Sequence, residues 1–204
     1  MFENYYLISC IIIILSFIPF MVMLERRKPH AREIMLVAVL VTITVLSRAV
    51  FFMIPFFKPI LAFVIISGIG LGARTGLLVG TLSAFISNFM FGQGPWTVWQ
   101  MLALGLCGFL AGLIFSRRYD EGKLHTVLVC IFGFIAAVVI YGGIMDTYTA
   151  LLYMGNMTKQ SFFTIYLSGL PVNLILGICT VLCLALFTKS MARKLRRVKY
   201  KYNM

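Results

Sequence analysis

The feature that most constrains this chain is a series of seven apolar segments, several of them long enough to cross a bilayer as a helix. The chain is 61% hydrophobic and only 12% charged, and a single soluble core of 204 residues would not bury that much apolar surface. The sequence therefore predicts an all-α polytopic membrane protein. The segments lie at residues 5–24, 33–54, 59–73, 75–91, 97–116, 124–148 and 163–188.

The distribution of basic residues predicts how these segments are oriented. If the N-terminus lies outside, 15 of the 18 Lys and Arg residues fall in cytoplasmic connections and in the C-terminal tail. Cytoplasmic loops of membrane proteins carry such an excess, so we expect the N-terminus outside and the C-terminus in the cytoplasm. The same bias accounts for the net charge of +12, and nucleic acid is therefore not an expected partner.

We divide the chain into three parts. Residues 1–30 form a peripheral N-terminal transmembrane helix and a cytoplasmic linker. This helix is followed by basic residues instead of preceded by them, which favours a retained helix over a signal peptide. Residues 31–190 form a six-helix membrane domain. Residues 191–204 form a basic tail that continues the last helix and is expected to contact anionic lipid.

Motifs of catalysis and metal binding do not occur in the sequence. It contains no HExxH, GxSxG or Walker-type glycine loop, and its five cysteines form no CxxC pair. Asp146 is the only carboxylate inside a predicted span away from the cytoplasmic ends, and a proton-coupled pump generally needs more than one. We therefore expect no enzyme activity, no metal and no resident cofactor.

A cluster of polar and aromatic residues at the outer helix ends is the predicted ligand site. The loop 88–100 contains both tryptophans. An interfacial aromatic belt explains one Trp easily but explains less well why Gln93, Thr97 and Gln100 are interleaved with the aromatic residues. Aromatic faces beside amides suit a planar heteroaromatic or amide-bearing ligand. The predicted ligand-binding residues are Gln93, Trp96, Trp99 and Gln100, followed by Arg48, Asn88, Asp146, Tyr148 and Asn173.

Two of these assignments leave alternatives open. Arg48 either snorkels to the outer surface or faces the bundle interior, where it pairs with Asp146 or with a ligand oxygen. Pro171 frees a backbone carbonyl in the last helix, and Asn173 either satisfies that backbone or points into the cavity. The aromatic loop 51–59 and the connection 149–162 are candidate covers of the site.

Small residues recur every four positions in two segments. Gly72, Gly76, Gly80 and Ala84 share one helical face, and Gly105, Gly108 and Gly112 show a similar pattern. Such a face allows two helices to approach closely. It serves packing within this chain or contact with another membrane subunit.

These residues resemble the substrate-binding S component of energy-coupling factor (ECF) vitamin transporters. The resemblance rests on the Ala-Arg-Glu helix start at 31–33, the aromatic-proline outer loop and the glycine-rich stretch 68–80, which is followed by Ser-Asn at 87–88. It covers about 31–190 and leaves the first helix as an addition to the usual six. The loop 91–101, FGQGPWTVWQM, is similar to the branch assigned to cobalamin-type substrates.

The resemblance implies a vitamin bound near the outer face, under the loops near 55–58, 91–97 and 149–162. It also implies partners: a transmembrane coupling protein and two ABC-type ATPases in a bacterial cytoplasmic membrane. Docking to them would involve the small-residue positions Ala38, Thr42, Gly72, Gly76 and Gly80. Many members have Ala at the position of Thr42 and Pro at the position of Ala73, so the chain departs from the family pattern there.

Other interpretations stay open at this point. Riboflavin, pantothenate and a queuosine precursor are alternative substrates. A stand-alone secondary transporter is an alternative function, and a membrane enzyme or a scaffold without ligand is another. Co-purification with ATPase subunits distinguishes the S component from all of these.

Overall fold

In a computed structural model of the chain, the described residues are 31–116, 122–152 and 159–202, together with Ile11. Within these ranges the regular secondary structure is entirely helical, so the predicted all-α membrane fold is confirmed. The predicted N-terminal transmembrane helix, apart from Ile11, lies outside the described residues. The helices are α1 (Ala31–Val50), α2 (Ile60–Leu71), α3 (Ala73–Phe91), α4 (Trp96–Phe115), α5 (Lys123–Ile135), α6 (Gly142–Leu152) and α7 (Lys159–Lys201).

A π-helical segment, Ala136–Tyr141, joins α5 to α6, so Leu124–Leu152 forms one continuous membrane segment. The segments Ala31–Val50, Trp96–Phe115 and Phe163–Lys201 are also long and apolar enough to cross a bilayer. Together with α2 and α3 they give the six helical segments predicted for residues 31–190.

The helix α2 is too short to cross the bilayer by itself. Its 12 residues extend about 18 Å at 1.5 Å per residue, whereas the hydrocarbon core is about 30 Å thick. Its C-terminal end adjoins the start of α3.

The break between α2 and α3 is shorter than the turn predicted over residues 72–76. The helix α2 ends at Leu71, and α3 begins at Ala73. Gly72 alone makes the break, with a φ of 114° that side-chain-bearing residues rarely adopt. Residues 73–76 need no such conformation and continue as helix.

The glycine face of α3 packs against α4 inside the chain. A Cβ built at Gly80 would lie 2.5 Å from Leu104 O, and one at Gly76 would clash with Gly108 O. Both glycines are buried, which confirms the packing interpretation. Because α4 covers Gly76 and Gly80 within the chain, a role of these two glycines in docking stays a prediction. Gly72 is half-buried in the turn.

The helix α1 packs along one side and leaves the other side open. Val41 and Val45 are among the residues that contact the α2–α3 core. Ala38 and Thr42 lie on the exposed side, and the Thr42 hydroxyl donates a 2.9 Å hydrogen bond to Ala38 O. Because this hydroxyl is bonded within its own helix, Thr42 adds little polarity to the exposed face. Docking through Ala38 and Thr42 stays a prediction.

The helix α7 continues past the predicted boundary at residue 190 into the basic tail. The tail contacts the ends of α1 and α4: Arg196 donates a 3.3 Å hydrogen bond to Ser116 O, and the Arg32 guanidinium lies 5.0 Å from the Tyr202 ring centre. The tail residues 191–201 thus continue the last helix, as predicted, and pack against one end of the bundle.

Candidate functional site

Polar side chains from four membrane segments meet at the opposite end of the bundle from the basic tail. We call this group the outer network, after the orientation that the basic residues predict. It begins on α1, crosses α3 and α4, and ends at the π-helical segment. Its members are Arg48, Ser87, Asn88, Thr97, Gln100 and Tyr141.

Asn88 is the centre of the outer network. Its Nδ2 donates hydrogen bonds to Thr97 Oγ1 at 3.0 Å and to Gln100 Oε1 at 2.9 Å. Its Oδ1 accepts a 2.9 Å hydrogen bond from Arg48 Nη1. The side chain is 1% exposed, and both its ends are occupied. Asn88 is therefore placed to orient the other side chains, whereas the sequence had suggested ligand contact.

Arg48 faces the bundle interior, so the snorkelling alternative is wrong. Its Nη1 also donates a 2.7 Å hydrogen bond to Ser87 Oγ, and its guanidinium lies 4.7 Å from the centre of the Phe91 ring. The expected pairing with Asp146 is not formed, because the hydrogen bonds of Arg48 within the described chain go to Ser87 and Asn88. Contact with a ligand oxygen stays open.

The turn between α3 and α4 is held by its own side chains. Thr97 Oγ1 donates a 2.9 Å hydrogen bond to Gln93 Oε1, and Gln93 Nε2 donates to Phe85 O at 3.2 Å. The indole of Trp96 lies directly on Gly94, where a Cβ would clash with the ring. Gln93 and Trp96 are both exposed. They form the accessible rim of the outer network.

Trp99 differs from Trp96 in its surroundings. It is 4% exposed, and its ring packs against Tyr148 with the ring centres 5.8 Å apart. Because both rings are buried, they form a wall between α4 and α6. Of the two tryptophans, Trp96 is the one that presents an open ring surface.

Gln100 links the outer network to the π-helical segment. Its Nε2 donates a 3.4 Å hydrogen bond to the hydroxyl of Tyr141, the last residue of that segment. π-Helical turns within α-helices are frequent at functional sites. Tyr141 was not among the predicted residues, although a phenol in the apolar run 135–141 is the signal that would have found it. Ser87 was also missed, and Thr97 was noted in the loop but not included among the predicted ligand-binding residues.

Asp146 and Asn173 form a second polar pair, between α6 and α7. Asn173 Nδ2 donates a 2.9 Å hydrogen bond to Asp146 Oδ2. Each side chain fits over a glycine of the facing helix, Asp146 over Gly169 and Asn173 over Gly142. The Asn173 amide nitrogen is therefore engaged by Asp146, and a contact of Asn173 with a ligand stays a prediction. The pair joins two helices and has no hydrogen bond to the outer network.

The connection 51–59 packs on the outer end of α3. Phe52 stacks on Phe91 with ring centres 5.0 Å apart, and Phe51 lies 5.2 Å from Phe57. Lys58 is half-buried in this connection. The sequence had not suggested Lys58. Closure of this loop over a ligand stays a prediction, and residues 153–158 of the second cover lie outside the described residues.

Two further features lie away from the outer network. An apolar groove of about 380 Å³ runs between α5 and α7, lined by residues that include Cys130, Ile131 and Val181. Among the residues that the structure describes, no group of three or more His, Cys, Asp or Glu is arranged to hold a metal ion.

Comparison with known proteins identifies the family. The family of the ECF-type riboflavin transporter S component matches residues 28–193. This match covers most of the chain and spans α1 to α6 and most of α7. No solved structure gives a significant match to the chain. The S component is the substrate-specificity subunit of a vitamin transporter and not an enzyme class. The chain belongs to the ECF-type riboflavin transporter S component family.

Proposed function

We propose that this chain binds a vitamin at the outer end of its bundle and delivers it inward as the specificity subunit of an ECF importer. The observation that carries the proposal is the position of Asn88. One buried amide on α3 fixes Arg48 on α1 and both Thr97 and Gln100 on α4, so it joins three helices. Buried polar groups of this kind are expensive in a membrane and mark functional sites.

The outer network offers a ligand two kinds of contact. Trp96 presents an aromatic face at the rim, which suits a flat heterocycle. Gln93 and Gln100 offer amide groups beside it, and Arg48 offers a cation. Trp99 and Tyr148 pack on each other behind these groups, and their contact with a ligand stays a prediction. The ligand is therefore a molecule that combines a planar ring system with hydrogen-bonding groups.

Cobalamin is the substrate that we favour, and riboflavin is the second candidate. Cobalamin carries amide side chains around a planar macrocycle, and the loop 91–101 resembles that of the cobalamin-type branch. Riboflavin is supported by the description of the matching family, and its flat ring would stack on Trp96. Both candidates belong to the same class of vitamin importer.

Transport requires partners. The sequence has no Walker-type nucleotide motif, so the energy for uptake would come from two ABC-type ATPases acting through a transmembrane coupling protein. The exposed side of α1, with Ala38 and Thr42, is the proposed contact with that protein in the bacterial cytoplasmic membrane.

Calorimetric titration of the purified chain tests this function. The panel contains cobalamin, riboflavin, pantothenate and a queuosine-type base. We expect one of them to bind with a Kd below about 1 μM, which corresponds to about −8 kcal/mol. Uptake in liposomes should then require the coupling protein and the ATPases. If no member of the panel binds below that limit, the proposed function is wrong.

A further inference from the structure

The apolar groove between α5 and α7 lies away from the outer network and has no role in the proposed binding of a vitamin. Cys130 and Val181 line it from the two helices and are in contact, since the Cys130 thiol donates a 3.9 Å hydrogen bond to Val181 O. On the α5 side, the lining residues Val127 and Ile131 are 52% and 51% exposed. The groove is therefore open on its outward side, where a membrane protein meets lipid.

The described lining of the groove offers a ligand only apolar contacts. Its one hydroxyl, that of Thr126, donates a 3.4 Å hydrogen bond to Gly122 O, and the Cys130 thiol is engaged by Val181 O. No charged side chain is among the described lining residues. A polar group buried there would lose its hydrogen bonds to water without gaining others, which is costly. The occupant of the groove is therefore a hydrocarbon.

The dimensions of the groove match one lipid chain. Thr126 and Ile135 mark its ends on α5, nine residues and hence about 14 Å apart. This length is close to half of the hydrocarbon core, which is about 30 Å thick. A volume of about 380 Å³ over that length gives a mean width of about 6 Å, whereas an α-helix is about 10–12 Å across. The groove is thus too narrow to seat a whole helix but accommodates a single acyl chain of one leaflet.

The antiparallel arrangement of α5 and α7 shows which leaflet this is. Phe134 lies beside Gly177, and Cys130 lies beside Val181, so residue numbers rise along α7 as they fall along α5. Ala185, which also lines the groove, therefore lies at the end where α5 begins. That end faces the cytoplasm in the orientation that the basic residues predict.

Positive charge follows directly at this end of the groove. Lys189 comes four residues after Ala185, so it lies on the same face of α7, one turn closer to the basic tail. Lys189 is exposed, and so is Arg193 one turn further. A basic side chain near a membrane surface contributes about 1 kcal/mol to the attraction of anionic lipid. The groove and Lys189 together therefore complement a molecule with an apolar chain and an anionic head.

We propose that this groove binds one acyl chain of an anionic phospholipid of the inner leaflet, with the phosphate of the lipid held at Lys189. The chain gives the apolar walls dispersion contacts that an empty groove lacks, and the Lys189 ammonium selects the charge of the headgroup. The lipid bridges α5 and α7. Its site is separate from the exposed side of α1, because α1 packs on α2 and α3.

Native mass spectrometry of the full chain in detergent tests the site. Phosphatidylglycerol and phosphatidylcholine with identical acyl chains are titrated separately. We expect one retained phosphatidylglycerol per chain, with a Kd at least about tenfold lower than that of phosphatidylcholine, which is about 1.4 kcal/mol. Equal retention of the two lipids would overturn the inference. Neither result depends on vitamin binding.

The variant Ala185→Phe tests whether the acyl chain occupies the groove. The added ring fills the groove from its exposed α7 wall and should weaken the binding of both lipids at least about tenfold. Leu186→Phe is the matched control, since Leu186 is 72% exposed and is not among the described lining residues. It should bind both lipids as the wild type does. Equal lipid binding by the two variants would contradict the proposed site.

The variant Lys189→Gln tests the headgroup contact. It should reduce the preference for phosphatidylglycerol to about twofold or less and leave the Kd of phosphatidylcholine unchanged. The matched control is Lys194→Gln, because Lys194 is exposed but lies about 140° around α7 from Lys189. An equal loss of preference in both variants would indicate diffuse attraction by the basic tail and would overturn the contact.

The same spectra report on other occupants of the groove. A second copy of the chain would appear as a dimer that Ala185→Phe dissociates. A helix of this chain or of a partner would leave the wild-type chain without retained lipid. Either result would overturn the inference.

Discussion

The side-chain amide nitrogen of Asn88 lies 2.9 Å from Gln100 Oε1, and this hydrogen bond ties the end of α3 to the second turn of α4. The two residues flank the turn that carries Gln93 and Trp96. The hydrogen bond between these two amides therefore fixes the two ends of the segment that carries the exposed rim residues Gln93 and Trp96. This arrangement couples the shape of the turn to the position of Arg48, which shares the same asparagine.

The two tryptophans should respond differently to substitution. Trp99→Ala removes a buried ring that packs on Tyr148 and should destabilise the protein by about 3–5 kcal/mol. Trp96→Ala removes an exposed ring and should change thermal stability little, while weakening vitamin binding at least about tenfold. Thermal unfolding and calorimetry on both variants check this. An unchanged vitamin affinity in Trp96→Ala would show that Trp96 belongs to the interfacial aromatic belt and does not contact the ligand.

The pair Asp146–Asn173 should tolerate loss of charge but not loss of the acceptor. Asp146→Asn keeps an oxygen for the Asn173 amide and should retain near-normal stability. Asp146→Leu leaves that amide buried without a partner, at a cost of about 1–3 kcal/mol. Denaturation curves of the two variants measure the difference.

The variant Asp146→Asn also distinguishes ATP-driven import from stand-alone secondary transport. ATP-driven uptake by the complete importer should persist in Asp146→Asn, because the carboxylate serves helix packing. A stand-alone secondary transporter would instead use this residue as its coupling carboxylate. Uptake by the chain alone, driven by a proton gradient and abolished in Asp146→Asn, would support that alternative and contradict our account.

The glycines of α3 should be intolerant of any side chain. In Gly76→Val the added atoms would meet the backbone of Gly108, so we expect loss of the folded protein on size-exclusion chromatography. Gly143→Ala is the matched control, since no atom lies within 4 Å of its added Cβ. It should be neutral or slightly stabilising, as alanine favours helix over glycine by about 1 kcal/mol. Equal tolerance at both positions would refute the close α3–α4 packing.

The predicted orientation can be checked by labelling in intact cells. A membrane-impermeant maleimide added outside should label Phe52→Cys, because this residue is exposed in the outer connection. It should label Tyr202→Cys, in the basic tail, only after permeabilisation. The reverse pattern would invert the topology expected from the basic residues.

The spans were predictable from the sequence because hydropathy and basic residues report on the bilayer directly. The segment 97–116 closely matches α4, and the segment 75–91 matches α3. The boundaries near 72–76 were less predictable. One glycine suffices to break the helix, and the residues after it are compatible with either a turn or a helix.

The site was predictable in its location but not in its connections. The turn 91–97 signalled a rim, since amides and indoles are costly in lipid. The partner of Arg48 was not predictable, because an opposite charge at Asp146 is the obvious candidate in sequence. The fold instead places Asn88 next to Arg48. Asp146 lies between α6 and α7, where it packs over Gly169 and Asn173 packs over Gly142. Such choices depend on helix packing, which spacing alone does not reveal.

The most direct test of the central claim is the vitamin Kd of the wild-type chain compared with that of Asn88→Ala. Calorimetry on both proteins, after thermal unfolding has shown that the variant is folded, gives this comparison. We expect a Kd below about 1 μM for the wild type and binding at least about tenfold weaker for Asn88→Ala, since the variant frees Arg48, Thr97 and Gln100. Equal affinity of the two proteins for the vitamin would show that the outer network is not the binding site.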